Sequence, residues 1–139
     1  MRCWVFCHTP IERWNECWIA SYKTIFDAWE DGGVRGLVVR LRHGSIGRIG
    51  PRVVRAAAGV TLNGLVRWTI QRGLAGLERW AGTPGTVGGA VHGNAHFDGR
   101  VLGDMVTSVG LVDRTGIVSR VPRAEMGFGY DASRVQHTG

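Results

Sequence analysis

Apolar residues recur at three- and four-residue steps in two stretches of this chain. The first holds Ile11, Trp14, Trp18, Ile19, Tyr22, Ile25, Phe26 and Trp29. This spacing predicts an amphipathic helix, although the same stretch also reads as a segment foreign to the rest of the chain. In the second, Leu62, Leu65, Val66, Thr69 and Ile70 form one stripe, with Asn63, Arg67 and Gln71 opposite. Thr61 is placed to cap the start of that helix. Gly73 fits the C′ position that ends it. A short second helix is expected over residues 74–80. Branched apolar content predicts strands at 36–41 and 52–58, and the glycines and proline of 43–51 predict a loop between them. Residues 106–112 alternate loosely as a strand. Asp113-Arg114-Thr115-Gly116 then makes a turn, and 117–121 return as the second arm of a hairpin. Residues 122–125 begin a short helical turn that tolerates Pro122. There is no internal repeat and no low-complexity segment.

Composition narrows the class. A chain of 139 residues with a hydrophobic fraction of 44% builds the core of one globular domain. No apolar run reaches spanning length, so no membrane crossing is expected. The N-terminus lacks a secretory pattern, since His8 breaks the apolar run that follows Arg2; a cytoplasmic address is expected. The net charge of +6 comes almost wholly from arginine, with Lys23 the single lysine. Arginine pairs bidentately with phosphate and carboxylate, so an anionic ligand fits. The arginines are spread from Arg2 to Arg134 and lack the aromatic interleaving of a single-strand surface, so nucleic acid is not an expected partner. Cys3, Cys7 and Cys17 are an odd count and read as free thiols. With His8 their spacing matches no zinc knuckle, and no metal site is expected.

Usage also shifts near residue 31. All three cysteines and four of the six tryptophans precede it, whereas no glycine does. Residues 1–30 therefore read as an atypical segment, such as a shifted reading frame or an early start site would leave, ahead of one domain over 31–139.

The densest chemistry lies at 81–95, Ala-Gly-Thr-Pro-Gly-Thr-Val-Gly-Gly-Ala-Val-His-Gly-Asn-Ala. This run holds no nucleophile and no strong acid. It offers bare backbone: glycine lets main-chain N–H groups approach a ligand closely and adopt positive φ, and successive amides can form an anion-binding concavity. A diphosphate suits it. A run of tight turns between strands is the plain alternative.

Asp31-Gly32-Gly33-Val34-Arg35-Gly36-Leu37-Val38-Val39, Ala58-Gly59-Val60, Gly73-Leu74-Ala75-Gly76-Leu77-Glu78, the stretch from Ala81 to Ala90, Asn94-Ala95, Phe128-Gly129-Tyr130 and Ser133 follow one another in order. This ordered set resembles the UDP-N-acetylenolpyruvoylglucosamine reductase (MurB, UDP-N-acetylmuramate dehydrogenase) family. The resemblance implies an α+β fold: part of a vanillyl-alcohol-oxidase or PCMH-type FAD-binding domain, a small mixed sheet with flanking helices. It implies FAD lying along Gly82, Thr83, Pro84, Gly85, Thr86, Val87, Gly88 and Gly89, with Asn94 and Ala95 nearby. It further implies NADPH as reductant and a UDP-sugar enolpyruvyl ether as substrate, in peptidoglycan precursor synthesis. The oligomeric state is left open.

Two features depart from the family pattern, and a third concerns extent. The family's other flavin loop, of Gly-Gly-Gly-Ser-Asn type, should precede Asp31, where this chain reads Thr24-Ile25-Phe26-Asp27-Ala28-Trp29-Glu30. Asp131 stands where the resemblance expects a catalytic arginine after the tyrosine. Its carboxylate would repel the substrate's carboxylate, and Arg134, three residues on, is the candidate replacement. No counterpart of the family's serine acid or glutamate is expected within these residues, so an incomplete active site and a truncated domain are expected. These departures keep two alternatives open: a flavin oxidoreductase of the same fold with another substrate, which Asp131, His92 and His96 favour, and a non-catalytic basic binding protein.

Overall fold

The structure, a computed structural model, describes residues 2–6, 44–113 and 115–137. The helix expected within 11–29, the strand at 36–41 and the Gly-Gly-Gly-Ser-Asn equivalent at 24–30 lie outside these residues. Within them the fold is α+β. Seven strands are described: β1 Arg2–Phe6, β2 Ile46–Gly50, β3 Val53–Ala57, β4 His96–Phe97, β5 Arg100–Val101, β6 Val106–Val112 and β7 Val118–Pro122. Helix α1 is Leu62–Ile70 and helix α2 is Val87–His92, with single 3₁₀ turns at Glu78–Trp80, Leu102–Asp104, Arg123–Glu125 and Arg134–His137.

Five strands form one mixed sheet in the order β2, β3, β1, β6, β7. The outer pairs are antiparallel and the two inner pairs parallel. Arg2 to Phe6 run beside Val53 to Ala57 on one side and beside β6 on the other. Residues 2–6 of the atypical N-terminal segment thus take the central place in the sheet. The run Cys3-Trp4-Val5-Phe6 lacks the period-two alternation that marks a half-exposed strand, which fits a parallel central position.

The residues facing the helices build the core. Val54 and Ala56 of β3, Val106 and Val109 of β6, and Val121 of β7 meet Leu62, Leu65 and Val66 of α1 and Val87, Ala90 and Val91 of α2. Leu77, Trp80, Leu102 and Met126 close the cluster. Each fully buried side chain of this size contributes about 1.5–3 kcal/mol. The ends of α1 follow from its sequence. Thr61 Oγ1 accepts the Gly64 N–H at 3.1 Å. At the other end, Leu74 N–H reaches Thr69 O and Gly73 N–H reaches Ile70 O, both at 3.0 Å. With Gly73 at φ +65° this is a Schellman stop, and the C′ assignment holds. The expected hairpin is also present: β6 pairs with β7 from Ser108 opposite Pro122 to Val112 opposite Val118. In its turn the Thr115 hydroxyl and the Ile117 N–H, with further backbone amides, hold the Asp113 carboxyl below the usual carboxylate range.

Three local expectations need correction. Residues 46–50 are not loop but the edge strand β2; an edge strand pairs on one side only and tolerates Gly47 and Gly50, and its mostly exposed side chains give no apolar signal. The helix expected over 74–80 shrinks to the 3₁₀ turn Glu78–Trp80. Gly76 sits at φ +122°, outside helical space, and its N–H donates to Glu78 Oε2 at 2.6 Å. The glycine run is not solely a run of tight turns between strands, because its second half winds into α2.

That helix exists because Gly88 has no side chain. A Cβ there would lie 2.8 Å from Ala58 Cβ and 3.2 Å from Ala58 O. Gly88→Ala is therefore expected to destabilise the fold by about 1–3 kcal/mol through overpacking. Gly47→Ala, with nothing within 4 Å of the added carbon, should stay within about 0.5 kcal/mol. Urea denaturation of the two variants beside the parent checks the contrast.

Candidate cofactor site

The run over 81–95 folds as a turn, a capped helix and a buried asparagine. The turn comes first. Gly82 and Gly85 adopt φ +89° and +103°, which only glycine takes without strain. Nothing lies within 4 Å of where their Cβ atoms would be, so the surface beside both is open. Asn63, on the polar side of α1, anchors the turn by accepting the Gly82 N–H at 2.7 Å. Thr83 N–H returns to Trp80 O at 3.1 Å. Thr61 and Thr86 face each other in an isolated antiparallel bridge. Leu62 N–H donates to Gly85 O at 3.0 Å, and Val87 N–H to Val60 O at 2.8 Å.

The expectation of a continuous row of bare amides is corrected at the helix. Gly88 N–H is bound to Ala58 O at 2.9 Å, and Gly89 N–H to the Thr86 hydroxyl at 3.2 Å. With Val87 N–H also bound, the first turn of α2 is satisfied from within the protein. Pro84 has no N–H. Among the described residues this leaves the adjacent amides of Gly85 and Thr86 without an acceptor. Gly85 is exposed and Thr86 half-buried. Two neighbouring main-chain donors beside an open glycine surface suit one phosphate group, a much smaller contact than the sequence implied.

Asn94 follows α2 and is 1% exposed. Its φ of +43° is left-handed, a conformation Asn tolerates better than most residues. Its Oδ1 accepts the Gly103 N–H at 2.8 Å and its Nδ2 donates to Gly129 O at 2.6 Å. It thereby joins the end of α2 to two later segments. Ala95 is half-buried, and its N–H donates to Ala90 O at 2.7 Å. A second tie runs alongside: the Ser133 hydroxyl and Gln136 Nε2 both donate to His92 O, at 2.7 and 3.0 Å. Gln136 Nε2 also reaches Asp131 O at 2.8 Å. Ser133, 2% exposed, is thus a buried structural donor. Burial pushes the half-buried His92 imidazole below its ordinary value.

These ties bring Asp131 against the glycine run. Its carboxylate lies 3.1 Å from His96 Nδ1, and the His96 ring rests against Tyr130 with centroids 4.7 Å apart. Asp131 itself is left-handed at φ +50°. Arg134, the candidate replacement for the missing arginine, faces Glu125 at 4.0 Å. Among the described residues its ion-pair partner is therefore Glu125. Glu78 caps the Gly76 amide and Arg79 pairs with Asp98. Trp68 and Trp80 belong to the hydrophobic cluster and its border, but Trp80 Nε1 is buried without an acceptor among the described residues. Sequence reasoning missed Asn63 and Gln136. Asn63 sits on a face that periodicity assigns to solvent, and nothing local to Gln136 signals its reach to His92.

Comparison with known proteins gives this geometry a context. The family described as an FAD binding domain matches residues 27–122. The UDP-N-acetylenolpyruvoylglucosamine reductase of Moorella thermoacetica is 42% identical over 109 residues, covering 78% of this chain and 36% of that protein. The protein of the same name from Caulobacter sp. (strain K31) is 39% identical over 111 residues, with the same two coverages. Among solved structures, UDP-N-acetylenolpyruvylglucosamine reductase (MurB) from Thermus caldophilus superposes with a TM-score of 0.55 at 31% identity, covering 73% of this chain and 37% of that one. The chain thus spans about a third of the length of the relatives it matches. No helix among the described residues is long and apolar enough to cross a membrane.

Two measurements test the site's construction. Asn94→Ala strands the Gly103 N–H inside the protein and should destabilise it by about 1–3 kcal/mol, the cost of one unsatisfied buried group; chemical denaturation reads this. For His92 the folded imidazole is harder to protonate than the unfolded one. Stability should therefore hold above the ordinary imidazole value of 6.5, fall as pH drops through it, and level off below the folded value. His92→Gln should flatten that fall, as denaturation midpoints at pH 7.5 and pH 5 would show.

Proposed function

The chain belongs to the FAD binding domain family, and from that premise we propose that it forms the FAD-binding part of a reductase acting on UDP-N-acetylenolpyruvoylglucosamine. The carrying observation is the glycine turn, with its adjacent unpartnered amides at Gly85 and Thr86 on an open surface. The names and identities of the relatives support the substrate assignment.

FAD, when bound, supplies the hydride chemistry by which NADPH reduces the enolpyruvyl group of a UDP-sugar. The chain's own residues bind and position. Gly85 and Thr86 N–H donate to a phosphate oxygen. Thr61 and Asn63 fix the turn that presents them, so little reorganisation is needed on binding. Asn94, Ser133 and Gln136 hold the end of α2 against the loop carrying Asp131. Gly82, Thr83, Pro84 and Ala95 shape the surface along which the cofactor lies. Val87, Gly88 and Gly89 contribute the helix behind it rather than donors. Cytoplasmic residence and a role in peptidoglycan precursor synthesis belong to this same reading.

One observation favours a second reading. Asp131 is not an isolated loop residue; it contacts His96, so a carboxylate–imidazole pair stands where the family resemblance expects a cation. A flavin oxidoreductase of this fold whose substrate lacks the enolpyruvyl carboxylate would tolerate that charge. The full-length gene product separates the readings. Turnover of UDP-N-acetylenolpyruvoylglucosamine supports the first, and flavin binding without that turnover supports the second.

The cofactor site is tested by titrating the 139-residue chain with FAD and following fluorescence quenching. Saturable binding is expected. Gly85→Val places a β-branched residue at positive φ and blocks close approach, so a loss of about tenfold or more, about 1.4 kcal/mol, is expected. Equal affinity of a folded Gly85→Val would show that the turn does not hold the phosphate.

A further inference from the structure

A second anion site lies at the opposite end of α1 from the glycine turn. The turn bonds to the start of α1 through Leu62 and Asn63. Beyond its end, Arg48, Arg52, Arg72, Gly73, Leu74 and Ala75 line a cavity of about 260 Å³, the volume of roughly nine liquid-water molecules. Nine helical residues separate the two ends, roughly 14 Å at about 1.5 Å per residue. The cavity and the turn share no residue.

Three arginines line this cavity, and no carboxylate does. Three described arginines have acid partners: Arg79 has Asp98, Arg123 has Asp104, and Arg134 has Glu125. Arg48, Arg52 and Arg72 have none among the described residues. Two of the three are nonetheless held in place by uncharged groups. Arg48 Nε donates to Gly50 O at 3.1 Å, and its Nη2 donates to Pro51 O. The Arg72 guanidinium lies 4.0 Å from the centre of the Trp68 ring and donates to Trp68 O at 3.3 Å. The Ala75 N–H, beside them, has no acceptor among the described residues.

Like charges lining one cavity without a counter-charge repel, yet backbone carbonyls and a ring face hold Arg48 and Arg72 there. A C-terminal helix dipole accounts for one nearby cation, but not for Arg48 and Arg52 on a separate hairpin. We propose that this cavity binds a small, multiply charged phosphate anion, a diphosphate or two adjacent phosphate groups, with Arg48, Arg52 and Arg72 as its counter-ions and the Ala75 amide as a further donor. Planar guanidinium groups match phosphate oxygens in pairs. A cavity of this volume accommodates one or two phosphate groups. The inference does not depend on the flavin reading, since it uses none of the same residues.

The test uses inorganic pyrophosphate as probe and the 139-residue chain, by calorimetry and by amide NMR. Saturable one-to-one binding is expected, with the Ala75 amide resonance moving and affinity falling as salt rises. Arg52→Gln removes no side-chain hydrogen bond among the described residues and should weaken binding about tenfold with the fold unchanged. Arg48→Gln with Arg72→Gln should abolish it. Gly85→Val, which disables the other site, should leave it intact. The proposal is overturned if pyrophosphate does not saturate. Binding that Gly85→Val abolishes while Arg52→Gln leaves it alone would equally overturn it, because the anion would then be at the glycine turn. So would tighter capture of a short oligonucleotide through the same arginines, which would make the patch a nucleic-acid surface.

Discussion

The structure depends on one seam, where the segment leaving β3 pairs with the segment entering α2. Ala58 O, Val60 O and Gly85 O accept from Gly88, Val87 and Leu62 in turn, and Thr61 faces Thr86 across the bridge. Both threonines also cap the helices that follow them. The seam thus sets the starts of α1 and α2 together, one on each side of the glycine turn. It also explains why residue 88 must be glycine: the two backbones approach so closely that a Cβ would strike Ala58. The turn that remains between the helices is short, rigidly mounted and open on its outer side. A phosphate contact made there would need little ordering on binding.

The seam redistributes the glycines' roles. Glycines in such a run serve three different physical needs. Gly82 and Gly85 take positive φ, Gly88 allows close packing, and Gly93 ends α2 as its C-cap. A row of glycines that looks uniform in sequence is divided by function, and only its middle offers free amides. The anion chemistry of the loop is correspondingly narrow. The remaining hold on a flavin must come from surfaces other than the amides of α2.

Much of this was legible in the chain. Thr61, Gly73 and the stripe from Leu62 to Ile70 marked α1 and both its ends, because caps and periodicity are local signals. The 106–121 hairpin was readable for the same reason: Asp113 and Gly116 make a self-sufficient turn. The ordered motifs pointed to the FAD-binding family, and those from Asp31 to Ala95 lie within the family match over 27–122, whereas Phe128-Gly129-Tyr130 and Ser133 lie beyond it. What escaped was non-local. The central strand β1 owes its place to neighbours distant in sequence, and its short run does not alternate, so periodicity alone did not mark it. β2 looked like loop because its glycines were counted and its pairing partner could not be seen. Asn63 and Gln136 act across the fold, as does the approach of His96 to Asp131, so no spacing rule reveals them.

The account's central claim is that the glycine turn offers a ligand two amides and no more. Backbone NMR of the isotopically labelled chain, with and without FAD, tests this directly. The account predicts that the Gly85 and Thr86 amide resonances shift on binding, while Val87 and Gly88 amides keep their positions and remain protected from hydrogen exchange in both states. Shifts centred on Val87, Gly88 and Gly89, with loss of their protection, would contradict it, because the seam would then have to open to admit the cofactor.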